Sequence, residues 1–228
     1  MKTFAIVLAA GSSTRFGKET KKQFFKINGL EVLCYSLKTF NASSLVDKII
    51  VVSSKEDIDN TKELVDCYNF EKVDSVVAGG KTRQESVKNG LDAIEEDGYV
   101  LIHDSARPLV DEKIIASLIN GLKDADGVTP AIKIVDTIVK AKNGELLSFE
   151  NRDELYRVQT PQAFKVSVIK EAHEKFSGEG ATDDTQLVKT LNKKVAIIPG
   201  EEKLKKITTL EDTHAIEAYI EQNEHLQN

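Results

Sequence analysis

Cysteine is scarce, with two residues, Cys34 and Cys67, in a chain of 228. Neither sits at metal-ligand or redox spacing, so both read as reduced thiols, which speaks against a disulfide framework. Only four prolines occur, and no low-complexity tract or composition shift marks a linker. No apolar run approaches the ~20 residues of a membrane span. The apolar run near the N-terminus is also too short, and too poor in basic flank, for a secretory signal. Positive charge is not in excess: the formal net charge of −6 argues against coating a nucleic acid. It leaves a small anionic substrate open, because local cations decide that. These absences lead to the expectation of a soluble cytoplasmic protein without nucleic-acid or membrane partners, built as one domain over residues 1–228.

What is present begins at the N-terminus. Phe4-Ala5-Ile6-Val7-Leu8-Ala9-Ala10 is apolar without interruption and stops at Gly11. Continuous apolar sequence is the mark of a strand buried on both faces, as in the middle of a parallel sheet. Ser12, Ser13 and Thr14 follow, then Arg15, Gly17, Lys18, Lys21 and Lys22. Small residues let backbone N–H groups approach an anion, and the cations neutralise phosphate charge. Strand, loop and cations together point to a nucleoside triphosphate. Neither the G-x-x-x-x-G-K-[ST] loop nor the G-x-G-x-x-G fingerprint occurs.

Further along, strands are predicted over 3–9, 48–53, 73–77, 99–103, 128–134 and 195–199. Helices are predicted over 30–40, 55–67, 82–94, 111–122, 166–175, 183–191 and 211–224. Strands alternating with helices predict an α/β fold, a Rossmann-like and mostly parallel sheet with helices on both faces. Residues 135–164 break the rhythm and read as a protruding extended arm, too poor in apolar residues for its own core. Lys206–Thr209 reads as strand, its alternation turning one of Lys205 and Lys206 inward. His173, His214 and His225 read as surface residues.

Ligands of such sheets sit beyond the carboxyl ends of the strands. That edge gathers Gly11–Lys22, the Gly79-Gly80 turn with Arg83 and Ser86, and the corner His103-Asp104-Ser105-Ala106-Arg107-Pro108. A carboxylate there, Asp104, is a natural magnesium ligand facing a triphosphate, and Arg107 can fork onto a phosphate. Each cluster also has a plainer reading as a capped turn with solvated cations.

Leu8-Ala9-Ala10-Gly11, Arg15-Phe16-Gly17, Lys22-Gln23-Phe24, Gly79-Gly80 with Arg83 and Ser86, His103–Pro108, Asp136-Thr137, Gln159-Thr160-Pro161-Gln162, Ala181–Asp184 and Lys206-Ile207-Thr208 follow one another in this order. The chain resembles the 2-C-methyl-D-erythritol 4-phosphate cytidylyltransferase family over nearly its whole length. The resemblance implies transfer of CMP from CTP to a polyol phosphate in non-mevalonate isoprenoid synthesis, with Mg²⁺ bound. It assigns Arg15, Lys22 and Lys206 to charge neutralisation at the reacting phosphorus. Ala9, Ala10, Gly11, Gly80, Arg83 and Ser86 match the CTP pocket, and Asp104 the metal ligand. Asp104, Arg107, Thr137 and Arg152 match the polyol-phosphate site, the last two on an arm that a homodimer offers to its neighbour. Lys21 stands where the family usually has Pro, leaving Lys21 as the alternative to Lys22. The ribitol 5-phosphate cytidylyltransferases share most of these motifs and are the alternative reading. A non-catalytic nucleotide-binding module is a third.

Overall fold

The computed structural model describes residues 1–12, 16, 21–176 and 181–224. Its central strand is β1 (Lys2–Ala9), whose alternation sends Ala5, Val7 and Ala9 to one face and Phe4 and Ile6 to the other. Both sets are buried, which is why the run is apolar throughout.

The chain next makes a small hairpin of β2 (Lys26–Ile27) and β3 (Leu30–Glu31), then α1 (Val32–Ala42). It lays β4 (Lys48–Ser53) parallel to β1 and, after α2 (Ile58–Cys67), β5 (Val73–Ala78) parallel to β4. After α3 (Arg83–Asp92) it returns to the opposite side of β1 as β6 (Gly98–Asp104), again parallel. Strand order therefore reverses between β1 and β6, and such a reversal opens a crevice at the carboxyl ends of the two strands.

Helix α4 (Glu112–Gly121) leads to β7 (Gly127–Lys133), then to a hairpin of β8 (Val139–Lys142) and β9 (Glu145–Phe149). Strands β10 (Tyr156–Val158) and β11 (Gln162–Lys165) run antiparallel in the main sheet, β11 between β6 and β7. Helices α5 (Val166–Lys175) and α6 (Asp184–Thr190), strand β12 (Val195–Pro199) parallel to β7, and α7 (Glu211–Glu224) complete the chain. Helices α1, α2 and α4 pack on one face of the sheet, and α3, α5 and α6 on the other. The α/β architecture is the one expected from the sequence.

Three expectations change. The extended segment 135–164 is not one projecting unit. The β8–β9 hairpin, its connections and β10 are mostly exposed, whereas Gln162, Ala163 and Phe164 are fully buried in β11, which pairs with β6 on one side and β7 on the other. Residues 206–209 are not a strand: the Asp212 carboxylate accepts the Thr208 and Thr209 N–H groups at 2.8 and 3.0 Å, closing a turn ahead of α7. His173 is buried and is described below. His214 is exposed, and His225 lies outside the described residues.

Candidate active site

Three strand ends build the site. Strand β1 delivers Ala9, Ala10 and Gly11, and the buried Gln23 amide donates to the Gly11 carbonyl at 3.4 Å. Strand β5 runs into Gly79-Gly80. A Cβ at Gly79 would fall 2.5 Å from that of Ala10, so only glycine lets this turn lie against the β1 end. Thr82 caps α3 by accepting the Glu85 N–H at 3.1 Å, and Glu85 Oε2 accepts the Lys81 N–H at 2.6 Å. Ser86 Oγ accepts the Gly80 N–H at 3.1 Å and donates to the Thr82 carbonyl at 2.9 Å, locking the glycine turn to the first turn of α3.

Strand β6 ends in Asp104, at the floor of the crevice. Arg83 Nε lies 3.2 Å from Asp104 Oδ1, and Lys206 Nζ 2.6 Å from Oδ2. Burial pushes the Asp104 carboxyl up, but Arg83 and Lys206 outweigh it and hold the group well below the usual carboxylate range. Asp104 is thus kept ionised between two cations. Arg83 also reaches Asp184 Oδ2 at 2.6 Å, and the buried Asp184 accepts from His173 Nε2 at 3.1 Å on its other oxygen. Burial works against the Arg83 charge, yet these two carboxylates keep it a firmer cation than usual.

A cleft of about 350 Å³ joins these parts, at the lower end of the size range of small-ligand sites. Ala9, Ala10, Gly11 and Lys22 line one wall; Gly80, Arg83 and Ser86 another; Asp104 and Lys206 the floor. Lys22 Nζ is 3.4 Å from the Ile207 carbonyl, beside Lys206. Its neighbour Lys21 turns away, pairing with Asp57 at 2.5 Å and Ser54 at 3.3 Å. Of the two loop lysines, Lys22 is the one on the cleft.

The other expected residues lie elsewhere. Arg107 Nη1 donates to the Leu204 carbonyl at 2.6 Å and is not on the cleft lining. Thr137 and Arg152 sit in the exposed connections around the β8–β9 hairpin, where Arg152 donates to the Val135 carbonyl at 2.7 Å. Arg15 lies outside the described residues. Sequence reasoning missed His173 and Asp184 as supports of Arg83. Their signal is weak, because a histidine inside an amphipathic helix and an acid at a helix start are ordinary on any surface.

A divalent cation fits the donors present. Among the described residues no three His, Cys, Asp or Glu side chains gather into a cage. One ionised carboxylate at a phosphate-sized cleft suits a hard cation that takes most of its ligands from phosphate and water.

The family model described as "IspD: 2-C-methyl-D-erythritol 4-phosphate cytidylyltransferase" matches residues 3–222. A protein of that name from Halalkalibacterium halodurans is 37% identical over 226 residues, covering 98% of this chain and 99% of its own. One from Clostridium acetobutylicum is 40% identical, covering 96% and 97%. The crystal structure of 4-diphosphocytidyl-2C-methyl-D-erythritol synthase from Anaerococcus prevotii superposes with a TM-score of 0.84 at 32% identity, covering 96% of each chain. The bifunctional IspDF of Campylobacter jejuni gives 0.79 at 32% identity, with 93% of this chain matching 53% of that one. A match that spans the sheet, the glycine turn and the Asp104 floor alike leaves one conclusion: the chain belongs to the 2-C-methyl-D-erythritol 4-phosphate cytidylyltransferase family.

Proposed function

We propose that this cleft transfers CMP from CTP to 2-C-methyl-D-erythritol 4-phosphate and releases pyrophosphate, a step of isoprenoid biosynthesis. The observation that carries the reading is the convergence of Lys22, Lys206 and Asp104 on one cleft beside the Gly79-Gly80 turn. A phosphate oxygen of the polyol attacks the α-phosphorus of CTP in line, and pyrophosphate departs. The attacking oxygen is already ionised, so the protein needs no general base, and its task is to position the phosphates and offset their charge. Lys22 and Lys206 place two ammonium groups on the cleft for that purpose, and Arg15, seven positions before Lys22 in the sequence, would supply a further cation. The Gly80–Ser86 turn, closed by its own hydrogen bonds, brings the α3 N-terminus and the Arg83 side chain to the nucleotide. Asp104 would hold the magnesium ion, which when bound neutralises charge on the triphosphate.

The partner we infer is a second copy of the chain. Val135, Leu146, Leu147 and Phe149 are exposed on or beside the β8–β9 hairpin, an apolar patch of the kind that subunit contacts cover. Thr137 and Arg152 flank that patch and do not line their own chain's cleft, which suits presentation to a neighbour's polyol phosphate. Among the described residues no helix is long and apolar enough to cross a membrane. Two free thiols suit a reducing compartment, and we assign the protein to the cytoplasm.

The test crosses CTP, UTP, ATP and GTP with methylerythritol phosphate and ribitol 5-phosphate, with and without Mg²⁺, and measures pyrophosphate release. Turnover is expected with CTP, methylerythritol phosphate and Mg²⁺ together, falling about 10²-fold or more in Lys206→Ala. Preference for ribitol 5-phosphate would move the chain to the alternative activity. CTP binding with no turnover on either acceptor would make it a binding module.

A further inference from the structure

The floor of the cleft depends on two groups from distant parts of the chain meeting at 2.6 Å, Asp104 from the end of β6 and Lys206 from the segment after β12. Lys206 lies on a strap, residues 200–207, that contains no strand and one short 3-10 turn, Glu202–Leu204. Sheet pairing therefore does not fix its ammonium group, and something else must.

Gln159 grips the entrance of the strap. Its Nε2 donates to the Glu201 carbonyl at 2.8 Å, and its Oε1 accepts the Glu201 N–H at 3.1 Å. One side-chain amide thus pairs with both backbone groups of one residue, as a neighbouring strand would. Gln159 is buried, and its own N–H is tied to the Pro130 carbonyl at 2.8 Å. The preceding strap residue accommodates this pair. A Cβ at Gly200 would fall 2.3 Å from Gln159 Oε1 and 3.0 Å from the Ala131 carbonyl carbon. Beyond the grip, Leu204 and Ile207 are fully buried on either side of Lys206, and the Ile207 N–H reaches the Ala106 carbonyl at 2.8 Å.

The next residue in the chain holds the other partner. Thr160 Oγ1 accepts the Asp104 N–H at 3.0 Å and is also 3.2 Å from His103 Nδ1. Adjacent residues therefore fasten the backbone that carries the carboxylate and the backbone that carries the ammonium.

We propose that Gln159 and Thr160 are positioning residues that together set the spacing between Lys206 and Asp104. They act through that pair. The inference rests on the transfer reaction above only where turnover is measured, so the first readout is independent of turnover. In wild type and Gln159→Leu, the rate of trace acetylation of Lys206 is compared with that of exposed Lys55 by peptide mass spectrometry. Release of the strap is expected to raise the Lys206-to-Lys55 ratio several-fold, and an unchanged ratio overturns the proposal.

The second readout is kcat. A shift of about 1 Å can cost on the order of 10²-fold, so Gln159→Leu is expected to lose between about ten- and a hundredfold in the wild-type background. In the Lys206→Ala background the same change is expected to cost less than about twofold, because the residue acts through Lys206. Equal losses in both backgrounds would assign Gln159 an independent role and overturn the proposal. If Gln159→Leu fails to fold, Gln159→Glu takes its place. Its protonated carboxyl has the donor and acceptor of the amide, so the acetylation ratio should fall back toward wild type as pH drops. Lack of that recovery counts against the proposal. A raised ratio in Gln159→Leu, with a wild-type protein that shows no transferase turnover, would leave the positioning role intact and sink only the function.

Discussion

His103 shows how one buried residue beneath the cleft makes stability depend on pH. Its Nε2 lies 3.0 Å from the Arg107 carbonyl, which can only accept, so that nitrogen carries the proton. Thr160, already accepting the Asp104 N–H, donates to Nδ1. The ring is neutral and fully used, and burial, the largest influence, pushes its pKa from 6.5 down to about 4. The unfolded chain binds a proton at this residue below pH 6.5 that the folded one refuses until about pH 4. Stability from this source is therefore complete above 6.5 and lost as pH falls through that window, in total by about 3 kcal/mol. Asp104 and Asp184, both held low, stay charged through the same window and add their losses only below it. Urea unfolding followed from pH 7 to 4 should show the decline in wild type and a flatter course in His103→Gln.

Among the elements, α3 carries the clearest conflict between local preference and packing. Gly90 lies inside the helix, where Ala would ordinarily be favoured by about 1 kcal/mol. Here a Cβ would approach Ile6 Cγ2 to 2.8 Å and Val52 Cγ2 to 3.0 Å. The missing side chain lets the helix lie close on β1 and β4. Gly90→Ala is therefore expected to destabilise by about 1–3 kcal/mol, the cost of overpacking, read as a lower urea midpoint with an unchanged slope. Elements with strong periodicity were legible in advance. β1 announced itself by an apolar run, α4 by Ile114, Ile115 and Leu118 on one stripe and the Asp111 cap, which accepts the Ile114 N–H. The cleft was legible as far as it is made by strand ends and short motifs. What escaped the sequence depends on distant partners. Ile207 reads as strand but is buried against Phe16, Ile27 and Ile216 in a turn, and the burial of His173 follows from Asp184 and the packing of α5 against α6. No local pattern encodes such pairings.

For the whole molecule, the sheet and its two helical layers bury their apolar faces, while the β8–β9 hairpin keeps its own exposed. A bulge offsets the hairpin register between Lys140 and Ala141, so Ser148 and Leu146 are their partners and Leu147 stands unpaired. Replacing Leu147 and Phe149 together by Ser removes the most exposed apolar surface of the hairpin. Sedimentation equilibrium is expected to give a dimer for wild type and a monomer for the double variant, with a raised KM for the polyol phosphate. A fully active wild-type monomer would refute this arrangement.

The two thiols differ sharply in exposure. Cys34 is wholly enclosed by the layer under α1, with its pKa raised to about 12 by burial, whereas Cys67 faces solvent at the end of α2. A maleimide therefore meets one sulfur per native chain and reaches the second only when α1 lifts from the sheet. The pace at which that second adduct grows in reports how often the interior opens, so the protein carries its own breathing gauge without an added probe.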